Sequence, residues 1–170
     1  MSNRSLLFLL LLLVAVFLAV KLDVPMKLKI GMTNWLYGDE MREIHRFRVS
    51  ADISSPELEK EGLTRETLLE RLTTALLKAG IKTLPDEEWR QTPGRPLFSV
   101  AIQAAKLEQG KYQYTITIDV TTSETRGAAS VSEKSKLLWS ISAMGEDNVA
   151  DILLKIDEIT SVFLKARAGV

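Results

Sequence analysis

The chain has 170 residues, no cysteine, a single histidine, and basic and acidic side chains in equal number, 22 of each. The lack of cysteine excludes disulfides, thiolate metal sites, thiol catalysis and a lipid-modified cysteine terminus together. Arg4, Lys21, Lys27, Lys29 and Asp23 all precede residue 30, which leaves eighteen basic against twenty-one acidic residues in the remainder. A domain so close to neutral has no general electrostatic hold on nucleic acid.

Residues 6–20 contain no charge, glycine or proline. A transmembrane helix needs about 20 apolar residues and the apolar core of a signal peptide about 7–15, so this length leaves both readings open. Arg4 gives the positive start that directs the amino end to the cytoplasm and the rest across the membrane. Cleavage after Ala19 would place bulky Phe17 where signal peptidase needs a small residue, which favours retention. The expected division is a signal-anchor or signal peptide over 1–24, a connector over 25–45 and a periplasmic α/β domain over 46–168. In the connector, Trp35 and Tyr37 lie between Gly31 and Gly38. They suit either the headgroup level of a membrane or an edge of the domain's own core.

Phe47, Val49, Ala51 and Ile53 alternate with Arg46, Arg48, Ser50 and Asp52, which predicts a strand wet on one face. Ser54-Ser55-Pro56 ends it, and the charged run Glu57–Gly62 reads as a loop. Thr64 is placed to cap a helix, with Leu63 and Leu68 as a hydrophobic staple and Leu68, Leu72, Leu76 and Ala79 along the buried stripe. Gly80 stops that helix and Ile81–Leu84 reads as a short strand. Residues 86–96 then read as a loop bearing Trp89, Arg90 and Arg95, residue types enriched at binding hot spots. The alternative for Trp89 is that it folds over the end of the first helix and caps the core.

Phe98, Val100, Ile102 and Ala104 alternate next, followed beyond Gly110 by Tyr112, Tyr114, Ile116, Ile118 and Val120. These two segments are predicted to form an antiparallel hairpin. Residues 122–136 are small and polar and read as a long hairpin tip. Leu137, Trp139, Ile141 and Ala143 make another alternating strand. From an Asp147 cap, Val149, Ile152, Leu153, Ile156, Ile159, Phe163 and Ala166 trace one face of a closing helix.

No catalytic cluster emerges. His45 alone, without cysteine, cannot make a conventional zinc site, and the carboxylates of 57–59 and 86–88 lie in charged runs without calcium-loop spacing. No catalytic, metal or cofactor-binding residues are therefore assigned, and the chain is expected not to be an enzyme. The candidate partner contacts are Trp35, Tyr37, Trp89, Arg90 and Arg95.

The phrases Gly62-Leu63-Thr64, Lys78-Ala79-Gly80-Ile81, Thr92-Pro93-Gly94-Arg95-Pro96 and Tyr112-Gln113-Tyr114, in this order of strands and helices, resemble those of small exported bacterial proteins of uncharacterised function. The topology is also similar to anticodon-binding-like α/β domains of the bacterial envelope, such as the amino-terminal domain of the TolB translocation protein and the curli-secretion pore subunit. The resemblance implies a fold and carries no activity with it.

The expected architecture is thus α/β (α+β): a two-layer sandwich with a mostly antiparallel sheet of four or five strands and two helices on one face, preceded by the N-terminal transmembrane or signal helix. The expected function is that of a non-catalytic accessory or scaffold subunit of an envelope complex, its partner another envelope or membrane protein. A periplasmic small-ligand or lipid carrier is the alternative. The expected location is the bacterial inner membrane, single-pass through residues 6–20 with the domain facing the periplasm, or the soluble periplasm after cleavage. Amino-terminal sequencing of the protein recovered from cells checks the anchor: an intact start is expected, and a start near Val20 or Lys21 marks cleavage.

Overall fold

The computed structural model describes residues 38–124 and 134–169. Five strands form one open, mixed sheet in the order β2-β1-β3-β4-β5, with five helices. The strands are β1 (Arg46–Ile53), β2 (Lys82–Thr83), β3 (Leu97–Lys106), β4 (Tyr112–Glu124) and β5 (Lys134–Asp147). The helices are α1 (Gly38–Glu43), α2 (Pro56–Lys60), α3 (Arg65–Lys78), α4 (Asp86–Gln91) and α5 (Val149–Ala168). β1 runs parallel to both β2 and β3, whereas β3-β4-β5 is an antiparallel meander. The parallel pairing of β1 arises because α3 and then α4 intervene in the chain, so each following strand begins again at the same end of the sheet. Among the described residues no helix is long and apolar enough to cross a membrane, and the segment 6–20 lies outside them.

The alternating strands bury their expected faces: Phe47 and Ala51, Phe98, Val100 and Ile102, and Tyr112, Tyr114, Ile116, Ile118 and Val120 are all buried, with α3 and α5 contributing Leu68, Leu72, Leu76, Ile152, Ile156, Ile159 and Phe163 to the same core. Thr64 caps α3 as its sequence suggests, its hydroxyl accepting the Thr67 N–H at 3.2 Å while the Thr67 hydroxyl accepts the Thr64 N–H at 3.0 Å. Gly80, at φ +76°, ends α3 in a left-handed turn that aims the Ile81 N–H at the Leu76 carbonyl, 2.9 Å away, and drops Ile81 into the core. At the core's centre Phe163 of α5 meets Phe98 at 4.9 Å, Trp139 at 5.3 Å and Phe47 at 6.1 Å between ring centroids. Arg71 of α3 and Asp157 of α5 join the two helices in a bidentate pair, at 2.7 and 2.5 Å.

The structure corrects several readings. The charged run after Ser55 is helix α2, whose Leu58 is fully buried, and 86–91 is helix α4. The connector includes α1, whose Met41 is 1% exposed in the main core. The closing helix is capped by Asn148, which accepts the Asp151 N–H at 3.1 Å, while Asp147 still belongs to β5. Residues 122–124 and 134–136 extend β4 and β5, so only 125–133 of the expected tip lie outside the described residues. Leu137 does not share the dry face with Trp139. A bulge between Val120 and Thr121 of the ladder shifts β5 by one residue, so Leu138 is buried and Leu137 is 43% exposed.

Phe163→Ala is expected to cost about 3–5 kcal/mol of unfolding free energy because it opens a cavity against three rings. Leu154→Ala, at an exposed position on the same helix, is expected within about 0.5 kcal/mol of the parent. Urea unfolding of the two variants checks both.

Candidate interaction surface

Among the described residues the sheet has one face covered by helices and one largely open. α1, α2, α3 and α5 each send a buried residue into the core, whereas α4 buries none and lies against the other face of β1. Its position follows from charge. The first turn of α4 is Asp86-Glu87-Glu88, acidic at a helix start, and it faces the wet-side arginines of β1. The Arg48 guanidinium reaches Asp86 at 2.6 and 3.2 Å, and Arg46 reaches Glu88 at 3.3 Å. Exposed pairs of this kind contribute about 0–1 kcal/mol each, so they orient α4 more than they stabilise the fold.

Trp89 is locked in this frame. Its indole N–H donates to the Pro96 carbonyl at 3.1 Å, the same oxygen that accepts the Arg48 backbone N–H at 3.0 Å, and the Arg48 guanidinium lies 4.8 Å from the ring centroid. The ring is half-buried, on the wet side of β1. The alternative in which Trp89 closes the core over the first helix is not what the structure shows, since α4 places it across the sheet from α3. Arg90 is exposed beside it. Arg95, in a left-handed turn at φ +39° after Gly94, folds back so that its Nε donates to the Arg90 carbonyl at 3.3 Å. The structure therefore brings Trp89, Arg90 and Arg95 to one corner, while Trp35 and Tyr37 lie outside the described residues. Arg46 and Arg48, which build the shelf, escaped sequence reasoning because a strand's wet-face arginines look like ordinary solvated charge.

Beyond the corner the open face carries short hydroxyl side chains. Ser140 donates to Asp119 at 2.6 Å, Ser99 to the Asp119 carbonyl at 3.3 Å, and Thr117 and Ser142 are 2.9 Å apart across the β4–β5 ladder. At its far end Gln103, Ala105, Gln113, Thr115, Met144 and Glu146 line an open concavity of about 720 Å³. Gly145 sits beneath this region because Tyr114 lies over it: a Cβ there would come within 2.8 Å of the Tyr114 Oη, which donates to Asp147 at 3.0 Å.

The remaining polar clusters serve structural ends. Glu61 accepts from Lys106 and from the Tyr112 hydroxyl, both at 2.7 Å, and the Lys106 bond first, then that of Tyr112, holds its carboxyl below the usual range. Arg167 donates to the Ile44 carbonyl at 3.1 and 2.9 Å and lies 3.0 Å from His45 Nδ1. Because arginine only donates, that nitrogen is the acceptor and the ring proton of neutral His45 sits on Nε2. No group of three or more potential metal ligands occurs among the described residues. Comparison with protein-family models, with curated proteins and with solved structures found no match.

Burial pushes the Tyr114 hydroxyl up to about 12, helped by its bond to Asp147. A pKa above the unfolded value of about 10 means that its stabilisation is complete below pH ~10 and is lost as pH rises through ~12. Urea midpoints measured across that interval should therefore fall, and the fall should be shallower in Tyr114→Phe.

Proposed function

We propose that this chain is a non-catalytic accessory or scaffold subunit of a bacterial envelope complex, held at the inner membrane by residues 6–20 with its α/β domain on the periplasmic side. The observation that carries this reading is the Trp89 corner. A half-exposed indole fixed by a hydrogen bond and a stacked guanidinium, with Arg90 exposed at its side, loses little side-chain entropy on docking and matches the Trp and Arg anchors of protein interfaces. Arg46 and Arg48 are engaged with Glu88 and Asp86, which suits a positioning role for both. The carrier alternative needs space between sheet and helices, where Phe47, Phe98, Trp139 and Phe163 instead interlock edge to face or tilted.

The full chain, purified in mild detergent from the membranes of its own cells, is expected to bring down a companion envelope protein in stoichiometric amount. Arg90→Glu, at an exposed position with no part in the core, is expected to lose that companion while circular dichroism stays unchanged. Recovery of the same companion with both Arg90→Glu and Trp89→Ala would overturn the assignment of the corner, and recovery of the parent chain alone would overturn the scaffold reading.

A further inference from the structure

We propose that β5 is a pairing edge on which a second copy of this chain docks antiparallel about a twofold axis, joining two five-stranded sheets into one. The inference uses a surface separate from Trp89 and stands without the reading above.

The two edges of the sheet are built differently. The β2 edge has two residues, an exposed Lys82 and a proline at 85, the short, charged, proline-stopped pattern that protects an edge from further pairing. The β5 edge has fourteen residues and is bonded on one side only, to β4. Among the described residues no other segment bonds to its outward backbone groups. No proline interrupts it, and its single irregularity, the bulge at Leu137 and Leu138, lies near its start. The nine residues Trp139–Asp147 thus run as regular strand with an unpaired row of N–H and C=O groups, which is a template for another strand.

Charge selects the occupant. β5 bears Lys136 near its start, Glu146 and Asp147 at its end, and nine uncharged residues, 137–145, between them. Laid antiparallel on itself, the strand sets the basic start of each copy against the acidic end of the other, twice over; laid parallel, it sets like against like. Lys136 opposes Thr122 and Asp147 opposes Tyr112 in the β4 register, so both point to the helix-covered face. With Ser142 on the axis, Trp139–Gly145 of one copy pairs with Gly145–Trp139 of the other, and the extra bulge residue carries Lys136 to Asp147. Lys136 already holds Glu40 at 2.6 Å, and Asp147 accepts the Tyr114 hydroxyl. Docking therefore extends two existing contacts into one network. On the open face the same register lays Met144, 63% exposed, over Ser140 of the other copy. An interface in which one patch meets itself closes at two copies and leaves no further free β5 edge.

The chain has no cysteine, so Ser142→Cys introduces a sole thiol. Directly opposed residues on the axis have Cα atoms about 4.5–5.5 Å apart, within disulfide range. The full chain carrying Ser142→Cys, oxidised with copper phenanthroline in native membranes, is expected to form a covalent homodimer in several-fold higher yield than Ser50→Cys, a control on the open face of β1. Light scattering of the unmodified full chain in detergent is expected to give two chains per particle. Equal yields at the two positions, a cross-link to a different protein in place of the homodimer, or one chain per particle would each overturn the proposal.

Discussion

Phe163 lies where β1, β3, β5 and the last helix converge, and its ring contacts with Phe47, Phe98 and Trp139 decide how the two layers meet. Three strands that are distant in sequence each contribute one aromatic to that point, so the cluster forms only when the sheet order is correct. Edge-to-face contacts of this kind contribute about 0.5–1.5 kcal/mol each beyond their buried area, and they penalise any rotation of α5 about its axis. Trp139 has a cost as well as a benefit. Its indole N–H is buried with no hydrogen-bond partner among the described residues, a penalty of about 1–3 kcal/mol. The ring is held there by shape, on the same face of β5 as Ile141, and the bulge one residue earlier makes Leu138 and not Leu137 its buried neighbour.

Once that centre is fixed, the two faces of the sheet diverge. The helix side is closed by large apolar residues, while the open side carries short serine, threonine and alanine side chains, with Thr117 and Ser142 bonded to each other and Ser99 and Ser140 donating to Asp119 across the ladders. Among the described residues only α4 crosses to the open side, its acidic first turn drawn by Arg46 and Arg48. The Trp89 corner is thus a by-product of placing two arginines on the wet face of the strand nearest α4. The opposite end of the sheet, at β5, has no such cover among the described residues.

The elements legible in the sequence are those whose burial repeats. Phe47 to Ile53, Phe98 to Ala104 and Tyr112 to Val120 alternate because each strand has one dry face, and the α3 and α5 stripes recur at helical spacing for the same reason. α1, α2 and α4, of five or six residues each, leave no periodic trace. Helices that short are stabilised by what they touch, through Met41, through Leu58, and through the ion pairs of Asp86 and Glu88. The parallel neighbours of β1 were hidden for a related reason, since pairing between strands separated by a helix has no local signal. Leu137 and Leu138 are two leucines in a row, and either satisfies an apolar position, so the bulge that chooses between them is invisible in composition. Trp89 stands out in the sequence by type, yet the side of the sheet it lies on depends on Arg48, forty-one positions earlier in the chain.

The Arg167 bonds to the Ile44 carbonyl fasten the tail of the last helix to the segment that feeds β1. A pull entering the chain at Gly38 meets α1 first, held by Met41 in the core and by Glu40 on Lys136, and then this clasp at the start of β1. β1 pairs with β2 at Arg46 and Phe47 and with β3 from Arg48 to Ile53, so force directed along the strand loads both ladders in shear and not one bond at a time as in unzipping.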